Sequence, residues 1–391
     1  MKTILIAGGG YADIPMIRAA KRLGYRVITS GNRPEELGHR HSDLYEPGDF
    51  SDGEAMLAIA RRHGVAAVCS CCNDFSALSC AYVAERLGLP GHDPYQTALT
   101  IHHKDRYRAF ALANGVTTPR AVSFDREAAA LAATLPFAFP VLVKPVDLTG
   151  GKGIGRADSP ADYASAVGRA FAASRAKRVV VEEFIVGTRH GWSAFLRDGK
   201  VVFAFADNEH YHLNPYLVSA ASTPAAVPAT TLDALTRQAE RIAGLWGLRQ
   251  GIFHVQYILR GDEPVIIEIC RRPPGDLYVT LVEHATGVDY PSWIVRSATG
   301  DPCPDIAPAA VRGHYVRHCV MGFKPGRIHG VQVDPTVEEL IVDRMMWWRP
   351  GDAFADVHLA KAGIVFLRFP TEAAMTATTP RLQELIRVET L

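Results

Sequence analysis

Residues 251–275, GIFHVQYILRGDEPVIIEICRRPPG, contain the pattern that decides the fold of this chain. Two apolar runs, residues 252–259 and 264–269, lie on either side of the turn Arg260-Gly261-Asp262-Glu263. Short apolar runs joined by a glycine-containing turn predict a β-hairpin. The rigid turn Pro273-Pro274-Gly275 follows the second run and limits the backbone freedom of the residues before it.

Polar residues on this hairpin indicate a phosphate and metal site. The two facing strands bring Gln256 and Glu268 near each other. A carboxylate and an amide oxygen suit Mg²⁺, which takes few protein ligands and completes its octahedron with phosphate and water. Arg272 follows four residues after Glu268, and its planar fork suits a phosphate or a carboxylate. Arg271 is expected to point to the other side of the strand. Taken alone, a glutamate at a strand end is more often a surface charge.

A second candidate site lies upstream of the hairpin. Val143-Lys144-Pro145 ends an apolar strand predicted over residues 140–146, and a flexible loop follows within five residues. A lysine at a strand end supplies a point charge to nucleotide phosphates, and the N–H groups of a glycine loop close over their oxygens. The alternative is a salt-bridged lysine beside an ordinary hairpin. The loop consists of Thr149, Gly150, Gly151, Lys152 and Gly153.

The first third of the chain alternates between strand and helix patterns. Strands are predicted over residues 4–7, 26–30 and 65–70, and helices over residues 54–63 and 75–87. This alternation predicts a parallel, doubly wound sheet with right-handed crossovers.

The glycine turn of this first sheet gives an ambiguous signal. Gly8-Gly9-Gly10 follows a strand and precedes a helix, as in a dinucleotide-binding fingerprint, but Asp13 replaces the third small residue. A carboxylate at that place repels a pyrophosphate. Arg33 after the second strand keeps an NADP site as the alternative. The broken pattern favours a nucleotide-free turn.

Composition excludes several classes of function. The 391 residues include 42 Lys and Arg against 41 Asp and Glu, and this balance gives no electrostatic reason for a nucleic acid or an anionic membrane as partner. No apolar run reaches the roughly 18 residues of a membrane helix, and the N-terminal apolar run is too short for a signal peptide. Seven cysteines without paired metal-ligand spacing predict reduced thiols and a cytoplasmic location.

Two further segments complete a resemblance to a known family. HHKDRYRAFALANGVTTP, residues 102–119, and VVVEEFIVG, residues 179–187, lie in order around the lysine strand and the glycine loop. Together with the hairpin, they resemble the ATP-grasp superfamily of carboxylate–amine or carboxylate–thiol ligases. The most similar branch is that of biotin carboxylase, carbamoyl phosphate synthetase and the L-amino acid ligases. The order and spacing of the motifs agree over residues 1–300.

The resemblance implies a role for each motif. Lys104 resembles the first nucleotide lysine of the family, and Lys144 resembles the second, which is held near the α- and β-phosphates. The other implied roles are the phosphate loop at residues 149–154, adenine recognition by Glu182 or Glu183 and the backbone at Phe184 and Ile185, ribose binding by His190, metal binding by Gln256 and Glu268, and contact with the acyl phosphate by Arg272.

Three departures from the family pattern concern the ribose and the metal. Many members have a glutamate after the hinge glycine. This chain has Arg189-His190 there, which resembles the Arg-His arrangement of biotin carboxylase. Cys270 replaces the asparagine that many members have two residues after the metal glutamate, and a neutral thiol is a poor Mg²⁺ ligand. Gln256 replaces a glutamate, as in the carbamoyl phosphate branch, and lowers the charge of the site by one.

The fold implied by the resemblance is α/β and α+β, in four parts. An N-terminal open parallel α/β domain (1–115) precedes two α+β subdomains that clasp ATP. These are the small subdomain or lid (116–205) and the core subdomain (206–311). A β-rich C-terminal segment (312–391) completes the core.

The implied activity is that of an ATP-dependent, ADP-forming ligase. A carboxylate attacks the γ-phosphate of ATP, and an amine attacks the resulting acyl phosphate to give an amide such as a dipeptide. ATP and Mg²⁺, with Mn²⁺ as a substitute, are the implied cofactors; the partners are a small-molecule carboxylate, an amine and, by family habit, a second copy of the chain. The alternatives are a carboxylase or carbamoyl-type enzyme that activates bicarbonate, an NADP-dependent oxidoreductase, and a nucleotide-binding regulatory protein without turnover.

Two loops have both a functional and a structural interpretation. His210 and His212 lie in DNEHYHLNPY, residues 207–216, which either lines the acceptor site or is polar only because it is a loop. Asn73 and Asp74 follow a parallel strand at the edge where such sheets place ligands, and helix capping by Asp74 is the alternative.

Overall fold

The computed structural model describes all 391 residues and begins with a parallel sheet. Its four strands lie in the order β3-β2-β1-β4, all parallel. The elements of this unit are β1 (Thr3–Ala7), α1 (Ile14–Arg22), β2 (Arg26–Gly31), β3 (Leu44–Pro47), α2 (Gly53–His63), β4 (Ala67–Ser70), α3 (Asp74–Leu87), α4 (Tyr95–His102) and α5 (Lys104–Ala113). The predicted open α/β arrangement is present. The short, half-buried strand β3 was not predicted, because LYEP has no clear apolar alternation.

Protein side chains fill the glycine turn after β1. Asp13 is buried and accepts hydrogen bonds from the backbone N–H of Gly10 (2.8 Å) and of Cys72 (3.0 Å). A Cβ atom on Gly9 would lie 2.0 Å from the His39 ring. The Gly10 N–H is therefore already used and the His39 ring lies against Gly9, so this geometry does not favour the NADP alternative.

A small antiparallel sheet follows, with strand order β5-β8-β6-β7. Its elements are β5 (Ala121–Phe124), α6 (Glu127–Ala132), β6 (Val141–Pro145), β7 (Gly155–Ala157), α7 (Pro160–Ala173) and β8 (Val179–Glu183). Helices α6 and α7 and the apolar residues of the strands, such as Val141 and Val181, form a separate buried cluster. This sheet lies within residues 116–205, the segment for which a lid is expected.

An antiparallel sheet of eight strands makes up the largest part of the fold, in the order β13-β12-β9-β10-β11-β14-β18-β16. A three-stranded sheet, β17-β15-β19, shares a buried apolar cluster with strands β14 and β18 of the large sheet. The elements are β9 (Thr188–Arg197), β10 (Lys200–His210), β11 (Ala220–Thr223), α8 (Ala229–Trp246), β12 (Gly251–Arg260), β13 (Glu263–Cys270), α9 (Tyr278–Thr286), α10 (Tyr290–Ala298), β14 (His314–Val320), β15 (Gly326–Val333), α11 (Pro335–Glu338), β16 (Ile341–Met346), β17 (Ala353–Phe354), β18 (Gly363–Phe369), α12 (Glu372–Thr378), α13 (Leu382–Leu385) and β19 (Ile386–Thr390).

The change from the small sheet to the large one differs from the boundary expected at residue 205. Strands β9 and β10 form a hairpin around Asp198-Gly199, and both central residues have positive φ. However, β9 pairs with β12, so this hairpin lies in the eight-stranded sheet. The lid sheet therefore ends at Glu183, because β8 makes its hydrogen bonds to β5 and β6 only.

The two faces of the large sheet have different surroundings. The front face carries Gln256 and Glu268, and its apolar part packs against α1, α9 and α10. The back face carries Trp192 and Tyr257 and packs against α5 and α8. Because successive side chains alternate between faces, the parity of a residue decides whether it meets the helices behind the sheet or the space in front of it.

All seven cysteines are free, and six of them are buried. None of the helices combines the length and the apolar character that crossing a membrane requires.

We expect Asp13→Asn to destabilise the fold, because an amide cannot accept from two N–H groups in the way that both carboxylate oxygens do. A buried group left without a partner costs about 1–3 kcal/mol. Urea denaturation of the parent and the variant measures this difference. The exposed Asp262, changed to Asn, is the control for loss of charge. Equal stability of Asp13→Asn and the parent would contradict the role given to this carboxylate.

Candidate active site

A buried ion cluster joins the lid to helix α5. Lys144 on β6 lies 2.6 Å from Oε2 of Glu182 on β8, and Arg108 on α5 lies 2.9 Å from Oε1 of the same carboxylate. Burial lowers the pKa of Lys144, and Glu182 partly offsets that effect. Arg108 and Lys144 lower the pKa of Glu182 despite its burial. Glu182 is therefore held as an anion between two cations.

Arg108 was not identified from the sequence. It follows Lys104 by four residues on α5, so both side chains lie on one face of the helix. Its Nη2 also donates to the Ile267 carbonyl at 2.7 Å, which fixes the guanidinium against β13. The available signal was a second cation placed four residues after the predicted nucleotide lysine, Lys104.

Lys104 links the glycine loop to the large sheet. Its Nζ donates to the carbonyl of Leu148 at 2.9 Å and to Oε1 of Glu268 at 3.2 Å. Burial opposes its charge, but Glu268 and Asp74 raise the pKa of Lys104. The ammonium group of Lys104 therefore binds one oxygen of Glu268, the predicted metal ligand.

The glycine loop has the backbone of a phosphate cradle. Gly150, Gly151 and Gly153 all have φ near +70°, a conformation that favours glycine. A Cβ atom on Gly151 would lie 2.7 Å from Tyr216, so the loop packs closely on the segment after β10. The side chains of Thr149 and Lys152 make no hydrogen bond within the protein.

Gln256 and Glu268 form a cross-strand pair on the front face. The register of β12 and β13 places them directly opposite each other. They supply one amide oxygen and one carboxylate, and no group of three or more His, Cys, Asp or Glu side chains gathers there. Hard oxygen donors in small number fit Mg²⁺ held mainly by phosphates and water. Cys270 is buried, and burial raises the pKa of its thiol, so it remains a poor ligand.

Arg272 is held by the N-terminal domain. Its Nε donates to Oδ1 of Asp74 at 2.6 Å, and its Nη1 donates to the carbonyl of Pro273 at 3.1 Å. His102 also contacts Asp74, at 3.1 Å. Nη2 of Arg272 makes no hydrogen bond within the protein and is available to a ligand. Capping of α3 by Asp74 was a wrong prediction: the cap is Asn73, whose side chain accepts from the Phe75 N–H, and the Asp74 carboxylate instead binds Arg272 and His102.

A family model matches the middle of the chain, where these residues lie. The family model described as "Carbamoyl-phosphate synthase L chain, ATP binding domain" matches residues 105–306, which is more than half of the chain. The chain belongs to this ATP-grasp family. The predicted family, ATP with Mg²⁺ as cofactors, and the class of ADP-forming ligases are thereby confirmed.

Relatives and solved structures agree with this family. Formate-dependent phosphoribosylglycinamide formyltransferases are 26% identical over 79% of both chains (Parasynechococcus marenigrum) and 28% identical over 78% of both (Synechococcus sp. WH7803). An L-amino acid ligase from Bacillus licheniformis superposes with a TM-score of 0.83 at 19% identity, covering 100% of this chain and 99% of that one. A phosphoribosylglycinamide synthetase from Anaerococcus prevotii superposes with a TM-score of 0.76 at 19% identity and full coverage of both chains.

The ATP-grasp hinge differs from the sequence expectation in its side chains. Glu182 belongs to the ion cluster, and Glu183 is bound by the backbone N–H and the guanidinium of Arg120. Neither carboxylate is free, and the backbone N–H of Phe184 donates to the carbonyl of Pro140 at 3.3 Å. Ile185 is buried.

Three histidines lie on the back face instead of the front. His190 pairs in register with Tyr257 and stacks on its ring, and its Nε2 contacts the hydroxyl of Thr188 at 2.7 Å. His210 contacts the hydroxyl of Ser222, and His212 lies against His318. Burial lowers the pKa of His210 to about 4. The ribose role of His190 and the acceptor role of His210 and His212 remain predictions, and the three side chains lie on the face opposite Gln256 and Glu268.

Their neighbours of opposite parity occupy the front face. Glu209 accepts from Nε2 of Gln256 at 2.7 Å and from the hydroxyl of Tyr211 at 2.5 Å. Asp207 accepts from the hydroxyl of Tyr278 at 2.7 Å. Burial raises the pKa of Asp207 to about 7, and the charge of Glu209 adds to that effect. The sequence analysis missed these carboxylates because it selected histidines of the same segment, whose side chains point to the opposite face of the sheet.

Arg271 points away from Arg272, as expected, and makes several hydrogen bonds of its own. It forms two hydrogen bonds to the carboxylate of Asp93, of 2.8 and 3.1 Å, and donates to the carbonyls of Ile252 and Gln250. This fork holds the N-terminal domain against β12. Arg271 is therefore a structural residue.

We expect Lys144→Ala and Lys104→Ala each to weaken binding of a non-hydrolysable ATP analogue about 10- to 100-fold, because a hydrogen bond to a charged group contributes about 1.5–3 kcal/mol. Glu182 keeps Arg108 as a partner in the first variant, so the fold should persist. Calorimetric titration measures both affinities, and Lys200→Ala, which removes an exposed partner of Glu240, is the control. Parent-like affinity in both test variants would mean that this cleft is not the nucleotide site.

Proposed function

We propose that this protein joins a small carboxylate to an amine through an acyl phosphate, with ATP converted to ADP and phosphate. The observation that carries the proposal is the convergence of Lys104, Lys144, Glu268 and Arg272 on one cleft between the lid and the front face. These residues supply positive charge where phosphates lie, and one carboxylate where a cation lies. That arrangement suits phosphoryl transfer, which depends on positioning and charge neutralisation.

Each group has a role in the proposed reaction. Lys144 and the N–H groups of residues 149–153 bind phosphate oxygens, and Lys104 moves from Glu268 to the nucleotide as it binds. Gln256 and Glu268 would hold Mg²⁺, which neutralises charge on the phosphate oxygens when bound. The carboxylate substrate attacks the γ-phosphorus. The free Nη2 of Arg272 then binds the acyl phosphate while the amine attacks its carbon and phosphate leaves.

Several finer assignments rest on the same family membership. The backbone at Phe184 and Ile185 binds adenine. We also propose the division into residues 1–115, a lid of 116–187, a core of 188–311 and a C-terminal segment of 312–391. A cytoplasmic location fits the seven thiols. A homodimer has a precedent in a biotin carboxylase domain dimer of Hydrogenobacter thermophilus, similar at 17% identity and a TM-score of 0.78 over 99% of this chain and 90% of that one.

The proposal is tested by ADP release with defined substrate pairs. One arm uses formate with phosphoribosylglycinamide, as in the names of the relatives. A second arm uses pairs of amino acids, and a third uses bicarbonate alone. ADP release that needs both an acid and an amine supports the ligase. ADP release with bicarbonate and no amine would instead establish the carboxylase alternative.

Thermal denaturation separates the nucleotide classes independently of substrate. MgATP should raise the melting temperature, and a ligand at a hundred times its Kd adds about 2.7 kcal/mol to the free energy of unfolding. NADPH should leave the melting temperature unchanged, because Asp13 and His39 fill the glycine turn. A shift with NADPH and none with MgATP would contradict the proposal.

We expect Arg272→Lys to lower kcat about 10²- to 10³-fold with little change in MgATP affinity, because its contact strengthens as charge develops in the transition state. A lysine keeps the charge but loses the fork that reaches both Asp74 and a ligand. Steady-state ADP release and analogue titration measure the two effects. Arg271→Lys should instead lower the melting temperature and keep the turnover of the folded enzyme. The reverse pattern would contradict the assignment.

A further inference from the structure

The side-chain amide of Gln256 poses an orientation problem that a glutamate would not have. Its oxygen can bind a cation, but its nitrogen carries two donor hydrogens and cannot. A freely turning amide would therefore present the wrong atom part of the time. Something must hold the nitrogen away from Glu268 if Gln256 is to serve as a metal ligand.

Glu209 is the group that holds this amide. An ionised carboxylate only accepts hydrogen bonds, so a glutamine beside it must present its nitrogen. Oε1 of Glu209 accepts from Nε2 of Gln256 at 2.7 Å. The other oxygen accepts from the hydroxyl of Tyr211 at 2.5 Å, which fixes the carboxylate itself. The amide oxygen of Gln256 is left for the side of Glu268.

The contact crosses a whole strand. Glu209 lies on β10 and Gln256 on β12, with β9 between them, so their backbones are about 9.5 Å apart at the usual strand spacing. The residue of β9 paired with Gln256 is Gly191. A Cβ atom there would lie 2.6 Å from Oδ1 of Asp207. The missing side chain therefore leaves room over β9 for the carboxylate of Asp207, the residue of β10 paired with Gly191.

We infer that Glu209 is a positioning residue of the metal site: through its hydrogen bond it fixes the Gln256 amide with the oxygen toward the cation. This inference rests on the proposed metal role of Gln256 and Glu268. It assigns to Glu209 a function that does not require direct metal contact. Gln256 is a neutral ligand, and the carboxylate that a glutamate would bring to the metal is instead that of Glu209, which is hydrogen-bonded to Gln256.

The test measures binding of Mn²⁺, as the probe, to the protein saturated with a non-hydrolysable ATP analogue, by electron paramagnetic resonance. Analogue binding without metal is titrated in parallel. Glu209→Gln can offer the amide of Gln256 either a donor or an acceptor, so Mn²⁺ affinity should fall about 10-fold or more, the range typical of groups that orient metal ligands. Metal-free analogue binding should change less than twofold. The exposed Glu263, changed to Gln, is the control for loss of charge.

A charge swap distinguishes positioning from mere packing. The double variant E209Q/Q256E places the carboxylate at the ligand position and the amide behind it, and it should recover at least the Mn²⁺ affinity of the parent. Parent-like Mn²⁺ affinity in Glu209→Gln, or loss of metal-free analogue binding in that variant, would overturn the inference while the metal site stands. A parent protein that binds no Mn²⁺ with the analogue would overturn the proposed function together with this inference.

Discussion

Lys104 is the group on which the arrangement of the cleft depends. One ammonium joins the base of the glycine loop, through Leu148, to Glu268 on the large sheet. The same helix carries Arg108, which reaches the lid through Glu182. Helix α5 therefore connects the lid, the loop and the metal carboxylate, and their relative positions follow from two cations one helical turn apart.

The cleft contains more cations than its carboxylates neutralise. Lys144, Arg108 and Arg272 are buried there and Lys104 is half-buried, and Glu182, Glu268 and Asp74 are their partners. Buried charges are stable only when paired. The internal pairs hold the cations in place. In the proposed function, the negative charge of a nucleotide phosphate neutralises the positive charge that remains. Binding then exchanges internal partners for phosphate oxygens.

A second ion cluster closes the far end of the front face. Asp276 binds Lys361 at 2.6 Å and the hydroxyl of Tyr11 at 2.6 Å, and Arg317 lies 3.5 Å away. These partners come from the C-terminal segment, the glycine turn of the first sheet and strand β14. Asp276 and Leu277 both have φ of +57°, so the chain turns sharply just after Arg272. The position of Arg272 thus depends on residues distant in sequence.

Local patterns predicted most of the fold and part of the site. Turn residues and apolar runs gave the hairpin that pairs Gln256 with Glu268, and the glycine-rich loop was recognisable from its composition. Side-chain parity on β9 was not predictable, because this strand is buried on both faces. On β10 buried and more exposed positions alternate in the structure, with Phe203, Phe205 and Asp207 buried, but the apolar run before Asp207 does not show this alternation in the sequence. The sequence analysis therefore selected His210 and His212 on this segment and not Glu209. Partners such as Asp74 and Asp93 come from the N-terminal domain, and their contacts with Arg272 and Arg271 depend on how the domains pack.

The central claim is that one cleft forms an acyl phosphate from a carboxylate and ATP. The most direct test follows oxygen: once an active substrate pair is found, the carboxylate is labelled with ¹⁸O on both oxygens and the released phosphate is examined by mass spectrometry. The account predicts one ¹⁸O atom in each inorganic phosphate, because the carboxylate oxygen that attacks the γ-phosphorus leaves with it. Unlabelled phosphate accompanying amide formation would contradict the account.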